Sequence, residues 1–188
     1  MRLMEKILRI ERKLCLSCME THDIQIVETE TTNIFKGIEV NYTTKHFFCD
    51  RTEEFFSDEE LIAANDRALK DAYRKAKGLL TSEEIIAIRQ KYGITQRDLC
   101  LLLGWGEKTI TRYESHQVQD FAHDSILRKL ADDPAWFLTL LETLKTNTSV
   151  SNWNRYRKNA EILFGEKYYL YRTLALSAKR FSKMKATG

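Results

Sequence analysis

The sequence predicts a mainly α-helical protein with a small N-terminal β segment, and three observations lead there. Only one Pro and seven Gly occur among 188 residues, so little interrupts the helix-forming stretches that cover most of the chain. Runs rich in β-branched and aromatic residues are confined to about residues 14–56. From residue 57 onward, helix-capping signatures recur just ahead of apolar residues at helical spacing.

The β segment comes first. IQIVETETT, FKGIEVNYT and KHFFC, with Asn33 and Gly37 near the turns, predict two or three short antiparallel strands. Ser57 followed by Glu60 then forms a capping box, and apolar residues at 61, 62, 69, 72, 73 and 76 give a helix ending near Gly78. A second box, Thr81 to Glu84, opens a helix over about 82–91 with Ile85, Ile86, Ile88 and Tyr92 inward, stopping at Gly93. Helices over about 95–102, from after Gly104-Trp105-Gly106 to Glu114 or Ser115, and over about 122–131 follow. Another begins at Asp133-Pro134, where Pro suits the first turn. TNTSVSN, 146–152, reads as a linker. Two helices, about 153–164 and 167–183, are expected beyond it, broken at Gly165. Their content of Trp153, Tyr156, Phe164, Tyr168, Tyr169, Leu170, Tyr171, Leu174 and Leu176 is too apolar for a free tail. The expected domains are therefore 1–56, a cysteine-containing β domain; 57–78, a connecting helix; 79–145, a compact helical domain; and 150–188, a basic, aromatic helical extension.

Charge and composition narrow the function. Net charge is only +3, but residues 151–188 carry 9 basic against 2 acidic side chains, a pattern suited either to phosphate contact or simply to a solvated helix. No apolar run approaches the ~20 residues that cross a bilayer. MRLMEKILRIERK has no signal-peptide layout, so a cytoplasmic protein with no membrane partner is expected. The four histidines, at 22, 46, 116 and 123, are scattered and match no hydrolytic motif. Catalysis is not expected.

The most informative stretch is GITQRDLCLLLGWGEKTITRYES, 93–115. Leu99, Leu102 and Leu103 fall at core spacing, and Gly104 to Gly106 permits a sharp reversal. Ile110 and Tyr113, three apart, share the inner face of the next helix. Glu107, Lys108, Thr109, Thr111 and Arg112 then look outward. A major groove admits one α-helix, and residues near its N-terminus reach base edges. Arg112 and Lys108 suit the O6 and N7 of guanine, Thr109 and Thr111 a phosphate or thymine methyl, and Gln96 a phosphate or flanking base. The set Gln96, Ile110, Tyr113 and Glu114 resembles the lambda-repressor-like, XRE-type helix-turn-helix over about residues 81–142, with Ser115-His116 where that family usually has Gly. The resemblance implies a DNA-binding domain of that fold.

Cys15-Leu16-Ser17-Cys18, followed by Cys49, is part of a zinc-ribbon pattern, because each Cys-x-x-Cys turn supplies two ligands of a tetrahedron. A second pair needs a cysteine at position 52, which is Thr52; His22, His46, Asp50 and Glu53 are the candidate fourth ligands. Two readings follow. Cys15, Cys18 and Cys49 hold Zn2+ with a His, carboxylate or water, or the ribbon has decayed and Phe47, Phe48, Phe55 and Phe56 pack in place of the metal. Cys100 reads as core or edge packing.

A Cys-x-x-Cys β domain followed by this helical pattern resembles the YgiT/MqsA family of antitoxins. The resemblance implies a zinc domain that engages a toxin protein and a dimeric domain that binds a palindromic operator and represses its own operon. The expected function is thus a sequence-specific, homodimeric DNA-binding repressor of the antitoxin kind. The alternative is a stand-alone XRE-family regulator, mobile-element-borne or metal- or redox-responsive, with no toxin partner.

Overall fold

The computed structural model describes the backbone of residues 6–186 and the side chains of residues 6–169. The chain divides into two compact units, one of residues 1–83 with 112–120, the other of residues 84–111 with 121–188.

In the first unit, β1 (Lys6–Leu14), β2 (Thr21–Phe35), β3 (Ile38–Cys49) and β4 (Glu54–Phe56) form an antiparallel sheet in the order β1-β2-β3-β4. β1 lies outside the strands the sequence predicts. Its sequence KILRIERKL interleaves charge with aliphatic residues because it is an edge strand, none of whose residues is buried. Ile24, Ile26, Phe47, Cys15 and Cys49 make the small core of this sheet, with Cys18, Phe56 and Leu61 packed at its margin.

Helix α1 (Glu59–Ala76) lies against β2 and β3, and Tyr73 meets Phe35 edge-on at 5.2 Å. Asp58, rather than Ser57, caps it: the Asp58 carboxylate accepts the Leu61 N–H at 3.0 Å and an ion pair from Lys13. Ser57 instead bonds His46 Nδ1 at 3.1 Å. Cap and ion pair together hold the Asp58 carboxyl below the usual range, the backbone N–H being the main cause.

Near its C-terminus α1 places the fully buried Arg74. Its guanidinium donates to Gln119 Oε1, Asp71 Oδ1, Tyr113 O and Gln117 O at 2.7–2.9 Å. Asp71 also accepts the backbone N–H and hydroxyl of Ser82. A charge of this kind is tolerated inside because its donors are satisfied and a carboxylate neutralises it. The segment following residue 112 is thereby tied to α1.

The second unit is helical. Helix α2 (Ser82–Tyr92) leads into it, followed by α3 (Gln96–Leu103), α4 (Thr109–Ser115), α5 (Phe121–Asp132), α6 (Pro134–Leu144) and α7 (Val150–Ala186), with α4 carrying the chain back to the first unit at residue 112. Ile85, Ile94, Leu99, Ile110, Leu127, Leu130, Phe137 and Leu141 form its core. Tyr92 stacks on Phe137 at 3.9 Å and donates its hydroxyl to Leu130 O.

Helix α7 is continuous where a break at Gly165 was expected. A single mid-helix Gly costs only about 1 kcal/mol, which a helix of 37 residues anchored at its start absorbs. That anchor comprises buried Trp153, Tyr156 and Ala160. Trp153 Nε1 donates to Leu141 O, and Tyr156 OH to Asp98 Oδ2 at 2.7 Å. The side chains of Leu170, Tyr171, Leu174 and Leu176 lie outside the described residues. No described helix is long and apolar enough to cross a membrane.

Candidate functional site

Two constellations carry chemistry. The first is built on α3 and α4. Thr95 caps α3 by accepting the Asp98 N–H, and Gly104 ends it at φ 68°, a left-handed turn that glycine enters without steric cost. The chain reverses through residues 105–108, and α4 starts at Thr109, after Gly106 as the sequence predicts. Ile110 is fully buried and donates its N–H to Cys100 Sγ at 3.4 Å, so Cys100 is indeed core and accepts from the first turn of α4. Thr111 Oγ1 donates to Gln96 Oε1 at 2.9 Å, fixing the start of α3 against α4.

Of the outward set, Glu107, Lys108 and Arg112 are exposed, while Gln96, Thr109 and Thr111 are half-buried. Glu107 and Lys108 lie in the turn before α4 rather than within it. Glu107 faces Arg97 at 4.0 Å, a pair between exposed groups that stabilises little.

The second constellation lies at one end of the sheet. Cys15 and Cys18 come from the β1–β2 loop, His22 from the start of β2 and Cys49 from the end of β3. Their ligand atoms all lie within 4.8 Å of one another. Cys15 and Cys49 are fully buried, His22 is nearly so, and Cys18 is half-buried. All three cysteines are free thiols. This quartet can hold a metal ion. Of the aromatic residues expected as a replacement for the metal, Phe47 and Phe56 stack on each other in the same core as the cysteines, whereas Phe48 and Phe55 pair outside it.

Hydrogen bonds tune these sulfurs. The Thr52 hydroxyl and the N–H groups of Thr52 and Arg51 pull Cys49 down to about 6. Burial pushes Cys15 up, but the N–H groups of Cys18 and Ser17 and the His22 ring outweigh it and leave it lowered. Burial dominates at Cys18 and raises it. The Cys15 sulfur holds His22 above its ordinary value, against burial.

Sequence reasoning supplied Cys15, Cys18 and Cys49 and left the fourth ligand open among four residues. The structure brings His22 to the cluster. His46 is engaged instead with Ser57 and Thr44. Asp50 sits behind His22, its carboxylate 3.6 Å from Nδ1, and Glu53 takes a left-handed turn position at φ 58°. The usable signal was the placement of His22 at the head of a strand, four residues beyond Cys18.

Comparison with protein-family models, with curated proteins and with solved structures finds no match to this chain.

Proposed function

We propose that the chain is a sequence-specific DNA-binding transcriptional repressor that reads the major groove with α4 and the turn before it. The observation that carries this reading is the α3–α4 pair. Ile110 anchors a short helix internally, Thr111 and Gln96 lock its start, and Lys108 and Arg112 are left exposed. These are the residue types that donate to guanine O6 and N7. The XRE-type pattern of Gln96, Ile110, Tyr113 and Glu114 supports the same reading, as does the basic charge of residues 151–188, a source of sequence-independent phosphate affinity.

A two-fold operator requires a two-fold protein, so the repressor acts as a homodimer. The order of parts, a cysteine-bearing sheet ahead of the reader, supports an antitoxin role in which the N-terminal unit engages a toxin protein. Co-purification of the chain with the product of an adjacent gene tests that extension separately; a chain that always purifies alone refutes it and leaves the stand-alone repressor.

Fluorescence anisotropy on DNA from upstream of the protein's own gene, at two salt concentrations, tests DNA reading itself. Wild type is expected to bind tightly and with sequence preference, and a folded Lys108→Ala, Arg112→Ala variant to lose that preference. Binding that varies with salt alone and is unchanged in the variant would refute a reader on α4.

A further inference from the structure

The metal-capable quartet can be specified further. An ordinary ribbon presents two Cys-x-x-Cys turns, and here the second turn is Cys49-Asp50-Arg51-Thr52. The two turns nevertheless meet: the sulfurs of Cys15, Cys18 and Cys49 lie with the His22 ring within 4.8 Å of one another. Ser17 Oγ bridges the turns, lying 2.7 Å from both Thr52 Oγ1 and Glu54 Oε2. Thr52 therefore stands where a cysteine ligand is expected, and its hydroxyl pairs with Ser17 instead.

The ligand that Thr52 cannot supply comes from β2. His22 Nε2 lies 3.6 Å from Cys49 Sγ. Zinc bonds of about 2.3 Å to sulfur and 2.0–2.1 Å to nitrogen, at tetrahedral angles, put a nitrogen and a sulfur about 3.6 Å apart. The same geometry puts two sulfurs about 3.8 Å apart, and the quartet's mutual limit of 4.8 Å accommodates it with a small contraction. The other ring nitrogen, Nδ1, faces the Asp50 carboxylate, the arrangement that fixes the tautomer of a metal-bound histidine. Three thiolates and one imidazole suit Zn2+ better than the hard, oxygen-seeking cations. Four protein ligands fill the tetrahedron and leave no open position, which marks a structural rather than a catalytic site.

We propose that Cys15, Cys18, Cys49 and His22 form a closed Cys3His zinc centre, with Asp50 orienting His22, that staples the end of the N-terminal sheet. Such a staple adds to a small core: the cluster at this end of the sheet has five buried residues, two of them the cysteines themselves. Small cores of this size rarely sustain a fold unaided.

Elemental analysis of the full-length protein, with cobalt substitution, tests the proposal. Wild type is expected to carry one zinc per chain, and its cobalt form to show intense tetrahedral d–d bands with thiolate charge transfer. His22→Ala should lower zinc affinity at least tenfold. Asp50→Asn should lower it about tenfold, and Thr52→Ala should keep full stoichiometry. His22→Cys guards against a merely misfolded alanine variant: it should retain zinc and gain thiolate charge transfer in the cobalt form. On chelation, hydrogen exchange should rise at residues 13–24 and 45–56 and stay unchanged at 84–111. Wild type folded without metal, iron in place of zinc, or His22→Ala with undiminished zinc affinity would each overturn the assignment.

Discussion

Replacing Arg74 by methionine, which fills similar space without charge, isolates the network that holds the residues following α4. In the native chain the guanidinium donates to Gln119 Oε1, Asp71 Oδ1, Tyr113 O and Gln117 O, and is fully buried. The substitution leaves two carbonyls and an amide oxygen without that donor, and Asp71 with only Ser82 facing it among the bonds described above. Removing one member of a buried ion pair costs about 3–5 kcal/mol. The four bonds are not additive, because Asp71 and Gln119 retain other donors or acceptors. For a chain of this size each kcal/mol moves Tm by about 2–4 °C, so thermal melting should shift down by roughly 6–20 °C. Hydrogen exchange should accelerate first at residues 113–119, whose carbonyls and side chains the guanidinium holds. A loss below about 1 kcal/mol in urea titration, with unchanged exchange there, would refute the argument that Arg74 organises this segment.

Ile110→Ala removes a fully buried side chain and should cost about 2–5 kcal/mol of stability. Arg112→Ala, at an exposed position, should leave urea midpoints within about 0.5 kcal/mol and weaken DNA binding by about 1–3 kcal/mol per half-site; equal stability losses for the two would contradict this division. Tyr156→Phe deletes the hydroxyl that donates to Asp98, a bond to a charged group, and should cost about 1.5–3 kcal/mol in urea unfolding. Asp58→Ala should cost about 1 kcal/mol at neutral pH through the lost cap. Because the folded carboxyl is held below its unfolded value, that stabilisation is present above the unfolded pKa of about 3.9 and disappears as pH falls through the folded value. Melting curves of wild type and variant should therefore converge in acid, and a gap that persists unchanged there would exclude the charge effect.

Much of the helical part was legible because its signals are local. Thr95 with Asp98 marks the start of α3, Gly104 its end, and Asp133-Pro134 the start of α6, all of which the structure retains. Ile110 was legible as an anchor from its spacing with Tyr113, and both are buried. β1 was not legible, because an edge strand has no buried face to write a strict alternation into its sequence. The continuity of α7 was hidden because Gly165 reads as a breaker locally, whereas Trp153 and Tyr156 anchor the helix through long-range contacts. The same limit applies to His22. Cys15 reaches it through the β1–β2 hairpin, with Lys13 opposite His22, and Cys49 only after β2 and β3 pair, with Ile26 opposite Phe47.

Selection from a random double-stranded DNA pool with the full-length protein shows whether the exposed residues leading into and along α4 read DNA. Wild type is expected to enrich a two-fold-symmetric sequence with half-sites about 34 Å, one helical turn, apart. The Lys108→Ala, Arg112→Ala variant, folded as judged by its melting curve, is expected to enrich nothing. An unenriched wild-type pool, or the same motif recovered by the variant, would contradict DNA reading by these residues.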